Sequence, residues 1–367
     1  MSPVRNFVCD RSNLSHEGFN RRGYAKIAAR SMSQKQLDVL SVGDVVTDAF
    51  VKLLDDQQKI EYGKDGQPDL SIPFGTKIPY DFSEIVAGVG NAGNAAVAFA
   101  KLGFESGLVA NVGSDNWGRE IIDSLEEKDV DTRFVHINRG KKSNYHYVLW
   151  YKSDRTILIK HEEYNYNWPH FRISDIPKWI YFSSVSQHAM EYHDQLSAWL
   201  DSHSAVKLAF QPGTFQIKAG IGRLKKIYQR AEILAVNREE AAKISGAKSE
   251  DVNNLFDKLH ELGPKIVVIS DGPKGAYASD SQSLYKMPIY PDPAPPYDRT
   301  GAGDAFSATF VAAIMRGADI QAALLWAPIN AMSVVQKVGA QAGLLNVHQI
   351  EQYLHTAPHS YHPERLS

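Results

Sequence analysis

Nine consecutive residues constrain this chain more than any others: Asp298-Arg299-Thr300-Gly301-Ala302-Gly303-Asp304-Ala305-Phe306. A Pro-rich run from Met287-Pro288 to Pro295-Pro296-Tyr297 precedes them and cannot be helix interior. The Ala-rich, apolar run from Ala305 to Arg316 follows and meets a stop at Gly317, which predicts a buried helix. Gly301 and Gly303 therefore stand where a loop enters a helix. The first backbone N–H groups of a helix lack internal partners and carry positive partial charge. Glycine lets that backbone approach a ligand closely. The Gly301, Ala302 and Gly303 amides thus form a candidate anion hole. Asp304 stands at its mouth as a candidate general base, or simply as an acid favoured by the helix dipole.

At 367 residues the chain can bury a large core, as one big α/β domain or two smaller ones. A net charge of −2 gives no reason to expect nucleic acid or an anionic membrane as partner. No apolar run approaches the roughly 20 residues that span a bilayer. The lone cysteine, Cys9, excludes an internal disulfide and a multi-cysteine metal site and fits a reducing, cytoplasmic setting. Residues 1–36 are Arg-rich and acid-poor. They read as a disordered arm or the product of an upstream start, with Met32 a plausible true start, in preference to a transit peptide.

Leu37 to Asp44 reads as a first, buried strand, with Asp44 and Asp48 at its C-terminal end. Gln58–Tyr62 and Asp69–Pro73, joined by a turn at Lys64-Asp65-Gly66, predict a hairpin. A Gly-rich loop, Gly88-Val89-Gly90-Asn91-Ala92-Gly93-Asn94, opens an Ala-rich helix that stops at Gly103. Asp115 is expected to cap the helix after it. Tyr145–Tyr151 and Thr156–Lys160, around a turn at 152–155, predict a strongly aromatic hairpin. It reads either as a cover over a substrate or as a face packed on its own core. From Trp179 onward short apolar strands (178–184, 206–213, 233–237, 265–270) alternate with helices such as 191–201, 216–230 and 249–262. That alternation predicts a doubly wound, mainly parallel sheet with helices on both faces. Asn237 with Glu240 reads as a capping box. Residues 355–367, with His355, His359 and His362, read as a frayed tail rather than a metal site.

Together these motifs resemble the ribokinase/PfkB family of carbohydrate and nucleoside kinases, in the family's order, over roughly residues 37–350. The resemblance implies a ribokinase-like α/β domain over 37–354 with a small β-sheet lid from about 50–82 and 143–162. It implies that Asp48, Gly90, Asn91 and Asn94 hold the substrate, although Val89 replaces the first glycine of the usual pair. Asn91 stands where ribokinases proper often carry Lys. It places Asn237, Ser270, Gly272, Lys274, Gly275 and Asn330 around ATP, the co-substrate. Glu240 would order Mg²⁺ through water, in line with that ion's reluctance to dehydrate. The loop at Asp298 and Thr300, with Val338-Gly339-Ala340, would enclose a monovalent cation, K⁺ being the candidate.

The expected reaction is phosphorylation of a primary hydroxyl, with Asp304 as base. A sugar is preferred as acceptor, because the substrate motifs contain no Lys or Arg for a phosphosugar; only the lid's Arg155 and Lys160 could supply one, unless both face water. A nucleoside is the rival, with its base stacked on Tyr145 or Tyr147. A non-catalytic sugar or nucleotide sensor on the same fold ranks below both. The lid would also be the contact for a homodimer.

Overall fold

A computed structural model describes residues 36–366 apart from 64, 65, 67, 152 and 153. The arm over residues 1–35, with the Met32 start, and the turn residues Lys64, Asp65, Lys152 and Ser153 lie outside the described residues.

The chain enters through β1 (Val39–Val42), whose four residues are all buried. It crosses into β2 (Val46–Leu53), the hairpin β3 (Lys59–Tyr62) and β4 (Pro68–Ser71), and β5 (Tyr80–Val89). Helix α1 (Asn91–Lys101), β6 (Ser106–Gly113), α2 (Asn116–Glu126) and β7 (Asp131–Asn138) follow, then β8 (Tyr145–Tyr151) and β9 (Asp154–Leu158). The second half alternates as expected. It comprises β10 (Trp179–Phe182), α3 (Met190–Ser202), β11 (Lys207–Phe210), α4 (Thr214–Ala219), α5 (Ile221–Arg230), β12 (Ile233–Asn237), α6 (Arg238–Ser245), α7 (Val252–Glu261) and β13 (Ile266–Ser270). The chain closes with β14 (Ala276–Ser279), β15 (Leu284–Met287), α8 (Ala302–Met315), α9 (Ile320–Val334), α10 (Val347–His355) and β16 (Glu364–Arg365).

Ten strands form one sheet in the order β16-β15-β14-β13-β12-β11-β10-β1-β6-β7. The run from β13 to β7 is parallel and the other edge antiparallel. Side-chain alternation divides its residues between two cores. Val39, Ala209 and Ala235 face the Ala-rich helices α1, α8 and α9. Leu40, Val42, Leu208 and Phe210 face α3, α5 and α7. Parallel strands need both faces covered, and these two layers cover them.

A second sheet, β5-β2-β8-β9, is the lid. The expected hairpin over 58–73 does form, but as a separate two-stranded sheet; the lid strands flank it in sequence. The helix expected over 216–230 is broken at Gly220, whose φ of +84° ends one helix and starts the next. The tail is not frayed. Tyr361 is buried and its hydroxyl donates to the Leu325 carbonyl (2.8 Å), while β16 adds to the main sheet at β15. Among the described residues no His, Cys, Asp or Glu cluster could hold a metal, and no helix is long and apolar enough to cross a membrane.

Candidate active site

Residues 298–306 form the loop and first turn of α8. Gly301 is the N-cap with φ +78°, a left-handed conformation that suits glycine. A Cβ there would lie 2.2 Å from Ala340 Cβ, so the close approach of the 339–340 turn also requires glycine. The first helical bond runs from the Ala305 N–H to the Gly301 carbonyl (2.9 Å). The Gly303 and Asp304 N–H groups therefore precede the ladder. The Ala302 N–H leans on the Arg299 carbonyl at 3.5 Å, the limit for a hydrogen bond. A Cβ at Gly303 would meet nothing within 4 Å, so its side of the turn is open to a ligand.

The loop is fixed from beneath by Asp298. Its Oδ1 accepts from the Thr300 N–H (2.9 Å) and hydroxyl (2.7 Å), and its Oδ2 from the Gly339 N–H (2.8 Å). This carboxylate serves the loop itself.

Asp304 is buried and held by three amides. Asn91 Nδ2 donates to Oδ1 and Asn94 Nδ2 to Oδ2, each at 2.7 Å; Gln211 Nε2 adds a contact to Oδ1 at 3.2 Å. Burial pushes its carboxyl above the usual carboxylate range, and the three donors and the charge of Arg155 oppose that rise. The Gly90-capped start of α1 thus delivers both asparagines to the proposed base, across some 210 residues of sequence. Gln211, which directly follows β11 and accepts from Tyr181 Oη (2.6 Å), escaped the sequence reading. Its position at the C-terminal end of a parallel strand was the available signal.

A polar cluster adjoins the Gly90 start of α1, which carries the two asparagines. Asp44 follows β1 and accepts from Tyr166 Oη and the Ser186 N–H, both at 2.7 Å. Asp48 is not on a loop but on β2, buried and in register with His146 of β8. His146 Nδ1 lies 3.5 Å from Asp48 Oδ1, and His161 Nδ1 3.5 Å from Asp44 Oδ2. The two imidazoles meet edge to face with centroids 5.5 Å apart. Neither histidine was singled out in the sequence.

The nucleotide-side residues diverge. Asn237 and Glu240 form the expected capping box, each accepting from the other's N–H at 2.9 Å. Burial raises the Glu240 carboxyl, and the negative charge of Asp304 pushes the same way. Ser270 ends β13, and Gly272 and Lys274 lie exposed in the turn after it. Gly275 is buried instead, and a Cβ there would lie 2.0 Å from the Met287 carbonyl oxygen. Its glycine serves strand packing rather than a ligand. Asn330 is fully buried within α9; it donates to Thr309 Oγ1 (2.7 Å) and accepts from the Leu345 N–H (2.9 Å). It braces the helix pair and offers no surface to a nucleotide. Asp115 caps α2 as expected, accepting from the Gly118 N–H at 3.0 Å.

The lid's two faces separate its aromatic residues. Asp48, Phe50, His146 and Trp150 share the inner face. Trp150 there packs edge-on against Tyr297 at 4.9 Å, just before Asp298. Tyr145 and Tyr147 lie on the opposite face, Tyr145 against Trp117 at 4.8 Å and Tyr147 half exposed. They cannot stack on a ligand beside Asp304. Of the two lid cations, Lys160 faces water with Glu162 (2.6 Å). Arg155 pairs in register with Trp150, and its charge acts on Asp304.

Residues 82–346 match the model of the pfkB family carbohydrate kinases. The chain is 26% identical over 274 residues to a ribokinase of Bacillus subtilis, covering 72% of this chain and 87% of that protein. It is 26% identical over 263 residues to a nucleoside kinase of Methanothermobacter thermautotrophicus, covering 70% and 80%. Its fold matches that of Arabidopsis thaliana ribokinase complexed with ribose and ATP, with a TM-score of 0.68 at 18% identity over 87% of this chain and 99% of that one.

Proposed function

The chain belongs to the PfkB family of carbohydrate kinases and is an ATP-dependent phosphotransferase with an alcohol acceptor, and from this we propose that it phosphorylates a primary hydroxyl of a sugar, with Asp304 as general base. The carrying observation is the clamp on Asp304: Asn91, Asn94 and Gln211 hold its carboxylate beside the open start of α8. In that arrangement the acceptor oxygen attacks the γ-phosphorus of ATP while its proton passes to Asp304. The new O–P bond forms as the bond to ADP breaks. The Gly303 and Asp304 amides, with Gly301 shaping the turn, face the charge that develops on the phosphoryl oxygens. Arg155, whose charge already reaches Asp304, is a lid cation suited to the same charge.

Mg²⁺ fits beside Glu240, a carboxylate whose raised pKa comes from burial and then from the charge of Asp304. A cation there relieves that repulsion and supplies charge neutralisation at the phosphates. K⁺ would sit at the carbonyls of the 298–300 loop. Gly272 and Lys274, exposed after β13, are the residues that would meet the nucleotide.

Sugar is preferred over nucleoside because the tyrosines that could stack on a base lie on the outer lid face. That face carries Ile85, Tyr147 and Leu158 in one exposed row and is the surface for a homodimer. A cytoplasmic setting fits the single cysteine.

Replacing Asp304 with Asn tests the assignment. Turnover should fall about 10²-fold or more, the scale of losing a general base, while ATP still shifts the melting curve. Near-normal turnover in Asp304→Asn would sink it.

A further inference from the structure

Resting on the kinase reading above, we infer that His146 is an acceptor-recognition residue, which reads a hydroxyl next to the one bound by Asp48 and selects an uncharged polyol. Both residues are buried, and only 11% of each side chain is exposed. Yet His146 Nε2 and Asp48 Oδ1 have no hydrogen-bond partner among the described residues. A buried polar atom left without a hydrogen bond costs stability. Nε2 has none, and Oδ1 has only the 3.5 Å contact with His146 Nδ1, so the pair on neighbouring strands of one lid face is suited to a ligand with two adjacent polar groups.

Their surroundings locate that ligand. The ring of His161 packs edge-on against His146, and Phe215 against His161, each with centroids 5.5 Å apart, which limits the tilt of the imidazole. Asp44, beside His161, touches the start of α1: a Cβ on Gly90 would lie 3.0 Å from the Asp44 carbonyl oxygen. From the same helix start Asn91 and Asn94 reach Asp304. The cluster therefore adjoins the acceptor end of the site.

Charge then narrows the acceptor. Asp44 and Asp48 each lie 3.5 Å from one of the two imidazoles, so a carboxylate or phosphate bound at His146 would meet like charge there, while the lid cation Arg155 acts on Asp304. Vicinal hydroxyls fit instead: Asp48 accepts from one, and His146 Nε2 donates to or accepts from its neighbour, depending on tautomer.

The full chain, His146→Leu and His146→Gln are assayed with ATP against D-ribose, D-fructose, D-glucose, D-gluconate, adenosine and cytidine, and melted without acceptor. His146→Leu should melt within about 3 °C of the parent, because Nε2 has no protein bond to lose. Its KM for the best acceptor should rise about tenfold or more, with a smaller loss in kcat and little change in KM for ATP. His146→Gln, which keeps a polar end, should recover part of that loss. An unchanged acceptor KM in His146→Leu overturns the inference, as does D-gluconate as the best acceptor. So does a fall in Tm beyond about 6 °C, which would mark a structural histidine. Parent activity on none of these compounds would count against the sugar-acceptor reading instead, and a fall in Tm beyond about 6 °C would still overturn the role of His146.

Discussion

At the scale of single residues, Asp304 as the proposed base should set the working pH. A base must be ionised to take a proton, and burial raises the Asp304 pKa, so activity should fail on the acid side at a higher pH than for an ordinary carboxylate. The amides of Asn94, Asn91 and Gln211 hold the charged form and oppose that rise. Asn94→Leu removes one of these donors, so the acid limb of the kcat/KM profile should move further up in pH. Relative to the parent, the variant should lose more activity at pH 6 than at pH 8. A limb that stays in place or moves down would show that Asn94 does not stabilise the ionised base. Asp304, Gly301 and the two asparagines were legible in the sequence because each lies in a short contiguous motif at a helix start. Gln211 was not, since only the sheet order places the end of β11 against α8. His146 and His161 were hidden for another reason. Alternation along β8 marks two faces but does not say which one is inward, and the aromatic Tyr145 and Tyr147 drew attention to the wrong face.

At the scale of elements, the turn between β13 and β14 holds two glycines of positive φ in different surroundings. Gly272 has φ +51° and nothing near its missing Cβ, whereas Gly275, at φ +95° and ψ −138°, lies in a region open essentially to glycine alone and has Met287 O in the way. Gly275→Ala should therefore lower Tm by several degrees, because that backbone costs about 1–3 kcal/mol and β15 must also shift. Gly272→Ala meets only the milder backbone cost and should change chiefly the KM for ATP. If both variants lost stability equally with ATP binding intact, Gly272 would be no part of the nucleotide site. The strands and helices of the second half were predictable because each is a short β-branched run or an amphipathic stretch with a stop. The C-terminal strand β16 was not. Glu364 and Arg365 have no strand pattern of their own and pair only because β15 offers an open edge.

At the scale of the whole molecule, the outer lid face carries Ile85, Tyr147 and Leu158 in one row, each about half exposed. Exposed apolar rows of this kind mark contact surfaces. Light scattering on the parent should give the mass of a dimer, and Tyr147→Asp combined with Leu158→Lys that of a monomer. A monomeric parent, or a variant that stays dimeric, would remove the lid from the interface. A last consequence concerns order in time. Asp298 is tied to Gly339, and Gln341 donates to both the Gly88 carbonyl (2.9 Å) and Asn94 Oδ1 (3.1 Å). On the ribosome most of the sheet emerges long before these ties can be made. The 298–304 loop and the helix that aims Asn94 at Asp304 lack these ties until residues 339–341 have been synthesised, so the site can be completed only near the end of translation.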